Sequence, residues 1–250
     1  MEKYFSINER GMSVRCKLYC DNIKTIQKAV IFAHGFGGHK DNRYAQTLAE
    51  RIQKRHKEAA LIVFNFPCHG DDARNKLLLE DCLSYVELVV DYAKRKYNAE
   101  AVYGCGTSFG AYVFLKYIAE RGNPFEKLVL RCPAVNMYDI LTNVIMELGA
   151  VRLLKKGKPI MVGFDRKVKV TKEFVTDLEQ SDITKYDYRQ YAQNMLIIQG
   201  TKDNVVSFEQ VKAFAEKNGC IFEEVQGADH TFSDPKRTDT AINCTVNFLF

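Results

Sequence analysis

Ser108 stands between two glycines in Gly106-Thr107-Ser108-Phe109-Gly110, with an apolar run on either side. That pattern places it on a turn leading from a strand into a helix. A serine hydroxyl on such a corner serves acyl transfer once a base removes its proton. Phosphate binding explains the glycines poorly. A dinucleotide loop requires glycine where Phe109 stands, and a P-loop requires a Gly-Lys-Ser/Thr ending that is absent. An ordinary structural turn is the remaining alternative, and the pentapeptide alone does not separate it from a nucleophile corner.

The partners of a nucleophilic serine must come from elsewhere in the chain. Of the five histidines, His230 in Gly227-Ala228-Asp229-His230-Thr231-Phe232 follows the last strand and is the best placed base. A histidine in a surface loop is the competing reading. His34 and His69 each precede a glycine in a tight turn, which favours a structural hydrogen bond. His56 ends a basic helix, and His39 lies in a loop better suited to oxyanions. The base needs a carboxylate to fix its tautomer. Asp203, in Gly200-Thr201-Lys202-Asp203-Asn204, is the first choice, with Asp139 as the alternative. Asp229 adjoins His230, and chain neighbours rarely turn both side chains to one point. Two backbone N–H groups must receive the developing oxyanion. Phe109, after the serine, supplies one; Phe36, in His34-Gly35-Phe36-Gly37-Gly38, supplies the other unless that loop is only a glycine turn.

These residues reach one place only if the elements between them form a sheet. Residues 2–9 and 12–19 read as an opening hairpin around Arg10-Gly11. Apolar runs at 28–34, 60–66, 101–106, 127–133, 194–200 and 220–226 read as strands. Helical spacing covers 41–56, 77–97, 109–120, 208–217 and 239–250. Strand and helix in alternation predict a parallel sheet covered on both faces, with ligands at the carboxyl ends of its strands. Most of the motifs above follow such ends. Residues 134–193 break the rhythm, because about sixty residues stand where one crossover helix needs about half. A helix over 136–151 (Met137, Leu141, Val144, Ile145, Leu148), a hairpin over 158–170 and a helix over 172–179 predict a small cap inserted in a single domain spanning 1–250.

Composition narrows the function classes. With 46% hydrophobic and 27% charged residues among 250, the chain can bury a full core. The net charge is +5, but acids and bases alternate, and the clusters at 54–57 and 155–158 read as solvated surface rather than a nucleic-acid site. No run approaches membrane-spanning or signal-peptide length, so a cytoplasmic protein with no membrane partner is expected. The eight cysteines form no CxxC pair, and no metal site is expected. Cys68 and Cys105 fall near the expected site, where burial decides whether their thiols react.

The motifs HGFGGHKD, PCHGDD, GTSFGA, GTKDNVV and GADHTF together resemble the α/β-hydrolase superfamily, and within it the bacterial cinnamoyl/feruloyl esterases. The resemblance spans essentially the whole chain. It implies the α/β-hydrolase fold, mostly parallel with helices on both faces. It also implies a serine esterase without metal or cofactor, acting on small-molecule hydroxycinnamoyl or short-chain acyl esters through Ser108, His230 and Asp203. The acyl pocket is expected between Phe36, the segment after Ser108 and the cap, with Met137, Tyr138, Ile140, Leu141 and Ile145 as candidate wall. The chain departs from the group at PCHGDD, where many relatives carry arginine or asparagine before HGxS. A thioesterase, a peptidase acting on short peptides and a non-catalytic binder remain the alternatives.

Overall fold

The computed structural model describes residues 1–147, 149–163 and 166–250. Leu148, in the expected helical stripe, and Phe164 and Asp165, in the expected hairpin, lie outside the described residues. In chain order the strands are β1 (Glu2–Glu9), β2 (Met12–Tyr19), β3 (Lys28–Ala33), β4 (Ala59–Phe64), β5 (Ala101–Thr107), β6 (Lys127–Arg131), β7 (Ile160–Val162), β8 (Val168–Val170), β9 (Met195–Gly200) and β10 (Ile221–Val225). The helices are α1 (Arg43–Arg55), α2 (Leu79–Tyr97), α3 (Phe109–Arg121), α4 (Met137–Asp139), α5 (Ala150–Lys155), α6 (Lys172–Gln180), α7 (Phe208–Asn218) and α8 (Pro235–Leu249).

Side-chain alternation sorts the core into two layers. In β3, Val30 and Phe32 pack on one face with Leu48 and Ile52 of α1 and Ile242 and Val246 of α8. Ala29, Ile31 and Ala33 pack on the other with α2 and α3. A strand buried on both faces must lie inside a sheet sandwiched by helices, and β3 does. The eight-stranded order is β1-β2-β4-β3-β5-β6-β9-β10. Every pairing from β4 to β10 is parallel, while β2 joins β4 and β1 antiparallel.

This order creates the crevice. From β3 the chain moves outward to β4, then crosses back to β5 on the other side of β3. The connections leaving the carboxyl ends of β3 and β5 therefore diverge, and the gap between them is where ligands bind in open parallel sheets. The loop after β3 and Ser108 after β5 flank that gap. Among the described residues no helix is long and apolar enough to cross a membrane.

Two expectations change. The last helix starts at Pro235 instead of 239, because the Asp234 carboxylate accepts from the N–H groups of Lys236 (2.8 Å) and Arg237 (3.2 Å) and proline suits the first helical turn. The helix expected over 136–151 is broken. α4 lasts one turn, passes into a wide π-helical turn over Ile140–Ile145 and stops at Met146 in extended backbone; α5 begins after Gly149, whose φ is 90°. Ile140, Thr142, Val144 and Ile145 are β-branched and weak helix formers, so the apolar spacing is not matched by propensity. The antiparallel pairing of β7 with β8 follows the expected hairpin.

Candidate active site

The corner after β5 is tightly determined. Ser108 has φ 51° and ψ −113°, a conformation that costs a non-glycine residue about 1–3 kcal/mol. Neighbouring hydrogen bonds hold it there: its N–H donates to the Arg131 carbonyl (2.9 Å), and its own carbonyl accepts from Tyr112 (3.0 Å) and Ala134 (3.3 Å). The flanking glycines are steric necessities. A methyl on Gly106 would stand 2.8 Å from Ala111 Cα, and one on Gly110 would overlap the Ala33 carbonyl. Strand and helix approach this closely only without those side chains.

His230 arrives from the turn after β10. Its Nε2 lies 3.1 Å from Ser108 Oγ and its Nδ1 lies 2.9 Å from Asp203 Oδ2. The neutral tautomer that satisfies both contacts carries its proton on Nδ1 and accepts from the serine at Nε2. The Asp203 side chain is fully buried, and its oxygens also accept from the N–H groups of Val205 (2.9 Å) and Val206 (2.8 Å) and from Gln199 Nε2 (3.0 Å). Burial alone would raise its pKa, but the hydrogen bonds from His230, Val206 and Val205 outweigh it and hold the carboxyl below its ordinary range. The competing carboxylates are placed elsewhere. Asp229 accepts from Ser233 N (2.9 Å) and Thr231 Oγ1 (3.2 Å), and Asp139 is exposed on α4. The Cys132 thiol, with Asp203 and His230, completes a cluster whose polar atoms lie within 4.8 Å of one another. Burial pushes that thiol pKa far up, so it stands there as a neutral neighbour.

The loop after β3 lies against Ser108, close enough that a methyl on Gly35 would stand 3.4 Å from Ser108 Cβ. Phe36 and Phe109, whose N–H groups the sequence nominated as oxyanion donors, meet edge to face at 5.8 Å. Phe109 N–H is the first of α3 and has no partner within the helix. His34 braces the loop: its Nδ1 donates to the Gly35 carbonyl (2.8 Å) and its Nε2 accepts from Phe66 N–H (3.3 Å). Phe66 and His69 pack against its ring, and Phe36 and Phe109 pack in turn against His69. His34 and His69 are thus structural, as their positions before glycines suggested. The His39 ring accepts from Asp41 N–H, and His56 stacks on Phe250.

A cavity of about 1050 Å³ opens at Ser108 and His230, bounded by the loop after β3, the start of α1 and the turns after β9 and β10. Of the cap residues nominated as its wall, Ile145 alone lines it. Met137, Ile140 and Leu141 are buried in the core and Tyr138 packs against it. Burial raises the Cys105 thiol to about 12 and the Cys68 thiol to about 11, so neither is a thiolate at neutral pH. Sequence reasoning missed Gln199, Thr107 and Arg131. The signal for Gln199 and Arg131 was a polar or charged residue closing an otherwise apolar strand; Thr107 carried none.

A family model described as serine aminopeptidase, S33, matches residues 24–181. The chain belongs to this hydrolase family. The matched span contains Ser108 and ends before Asp203 and His230. Solved structures share the α/β-hydrolase fold over nearly the full length. Est1E from Butyrivibrio proteoclasticus, with ferulic acid bound, has a TM-score of 0.74 at 17% identity, covering 97% of this chain and 98% of that one. A putative hydrolase from Agrobacterium vitis S4 has a TM-score of 0.76 at 15% identity, covering 100% and 99%. A soluble variant of monoglyceride lipase from Saccharomyces cerevisiae, with a substrate analogue, has 0.74 at 14%, covering 100% and 94%. The α/β-hydrolase fold that the motifs imply is thus shared with these structures.

Proposed function

We propose that this S33-family hydrolase cleaves carboxylic esters through an acyl-enzyme on Ser108. The observation that supports this reading is the hydrogen-bonded chain from Ser108 Oγ through His230 to the fully buried Asp203. Ser108 Oγ attacks the ester carbonyl as His230 Nε2 takes its proton, and Asp203 stabilises the imidazolium without being protonated. The tetrahedral oxyanion rests on the N–H groups of Phe36 and Phe109. Its collapse expels the alcohol, which takes the proton from His230. Water then attacks the acyl-serine with His230 again as base, releasing the acid and restoring the hydroxyl.

The acyl group is hydroxycinnamoyl or short-chain aliphatic, seated beside Phe36 and Ile145 under the segment between β6 and β9, which serves as the cap. The ferulic acid bound to Est1E favours testing the first class. The S33 family description favours an aminoacyl-amide arm in the same assay. The test is hydrolysis of p-nitrophenyl acetate, p-nitrophenyl butyrate, methyl ferulate and an aminoacyl-p-nitroanilide by wild type and Ser108→Ala, with fluorophosphonate labelling of both. Ester turnover and labelling in wild type alone are expected. Turnover of the anilide but not the esters would move the activity to peptides, and equal turnover by both proteins would remove Ser108 from the chemistry.

A further inference from the structure

Arg131 closes β6 with only 6% of its surface exposed, yet among the described residues no carboxylate pairs with it. Its guanidinium lies 4.3 Å from the Tyr44 ring centroid and 5.0 Å from that of Phe232. Nη1 donates to the His230 carbonyl at 3.4 Å, and Nε has no partner. Guanidinium stays charged under all ordinary conditions, and a buried charge ordinarily has a counter-ion. Two faces of aromatic rings replace only part of one. The group is not sealed in the core: Arg131 lines the cavity at Ser108, as does buried Thr107, whose Oγ1 also lacks a partner.

The rest of the cavity carries the same sign. Arg43, Arg166 and Lys202 line it, are exposed and form no ion pair among the described residues; Arg237 lines it beside Asp234 at 3.6 Å. Asp229 is the one carboxylate among the described lining residues, and its oxygens are already engaged by Ser233 and Thr231. Asn42, the N-cap of the thirteen-residue α1, adds the positive end of a helix to the same wall. Among the described residues, five cations around one internally bonded carboxylate, with the most buried cation unpaired, describe a site for a negative group.

We infer that the substrate is an anionic ester, carrying a carboxylate or phosphate that enters beside Ser108 and acts as the counter-ion Arg131 lacks. This rests on the ester-hydrolase reading above. The negative group is held by charge-assisted hydrogen bonds, and the exposed cations at the rim raise its local concentration and capture rate.

The experiment compares mono-4-nitrophenyl adipate with 4-nitrophenyl hexanoate, which differ by a carboxylate in place of a terminal methyl. A second pair, butyryl-glycerol phosphate against monobutyrin, puts the charge on the alcohol side and in phosphate form. At least one anionic member should exceed its neutral partner by about tenfold or more in kcat/KM, and the pair that does so names the source of the charge. Raising NaCl from about 20 to about 300 mM should lower the anionic rate severalfold and leave the neutral one level. Arg131→Gln should erase most of the preference, and Arg131→Lys should restore part of it. Should Arg131→Gln fail to fold, Arg43→Ala with Lys202→Ala tests the rim, with an expected two- to fivefold loss of preference. Equal rates within both pairs, independent of salt, overturn the inference while the hydrolase reading stands. An equal loss on charged and neutral esters in Arg131→Gln would instead make Arg131 a positioning residue for His230, and also overturns it. Absence of turnover on all four esters together with no fluorophosphonate labelling of Ser108 removes both.

Discussion

The corner between β5 and α3 and the segment between β6 and β9 both join strands of one sheet, but they obey different constraints. At the corner the two glycines have no tenable replacement. Gly106 and Gly110 touch backbone on the facing elements, and Ser108 is locked by three backbone hydrogen bonds. In the inserted segment the helical stripe promised continuity, and the chain instead makes α4, a π-helical turn, a break and α5. Two of its glycines, Gly149 and Gly157, face open space: Gly157 has φ 74° and nothing within 4 Å of where a methyl would stand. Where strands and helices approach closely, packing allows almost no substitution. In the inserted segment, apolar spacing alone does not fix the backbone.

That contrast can be broken in several ways. The largest expected effect is chemical. Ser108→Ala should lower kcat/KM for any ester substrate by about ten-thousand-fold, about 5 kcal/mol of transition-state stabilisation, and leave the unfolding midpoint close to wild type. A comparable fall in stability would mean that the hydroxyl is mainly a structural group.

The next effect is steric. Gly110→Ala should destabilise the protein by about 3 kcal/mol or more, because the new methyl overlaps Ala33 backbone in a position that cannot relax. Gly157→Ala should cost about 1 kcal/mol, for its positive φ alone. Urea unfolding of the pair measures the difference directly, and equal costs would dissolve the distinction between corner and insertion.

Acid should also strike behind the site. Burial lowers His69 to about 4 from 6.5, and burial together with neighbouring His69 lowers His34 well below its ordinary value. Between those pH values the unfolded chain binds protons that the folded chain refuses, so stability falls as pH drops from 6.5 towards 4. His69 alone accounts for about 3 kcal/mol of that fall. Asp203, held below its usual 3.8, adds a further loss only at lower pH, as the carboxyl is finally protonated. Chemical denaturation at pH 7 and pH 4.5 tests this, and unchanged stability would contradict the buried neutral state of both rings.

The smallest effect concerns the insertion. Ile145→Ala should change the ratio of butyrate to ferulate turnover by about twofold to fivefold at little cost in stability, because Ile145 is partly exposed and lines the cavity. Leu141→Ala should instead cost about 2–5 kcal/mol with little change in that ratio, since Leu141 is fully buried in the core. Reversal of these two outcomes would restore the continuous cap helix and its apolar stripe as the pocket wall.

Most of the strands and helices were legible because their signals are local. Period-two and period-3.6 patterns are strong in β3, β4, β5 and α2, and turn chemistry marks their ends. The site was legible for a related reason: Ser108, Asp203 and His230 each follow a strand whose carboxyl end could be read, and parallel strands bring those ends to one edge. Illegible were features set by contact between distant segments. Nothing near Met137 or Leu141 says that they turn inward, and nothing near Arg131 says that no carboxylate will meet it.

The sequence by itself determined most of the elements, the sheet type and the three residues that meet at the candidate site, because side-chain periodicity and corner chemistry act over a few residues. Only the tertiary structure decided that His230 and Ser108, 122 residues apart, meet at 3.1 Å, that Asp229 turns to its own loop, and that arginines and lysines outnumber carboxylates among the described residues lining the cavity. Those outcomes depend on how elements pack across the sheet, where a shift of one or two ångströms separates a hydrogen bond from none.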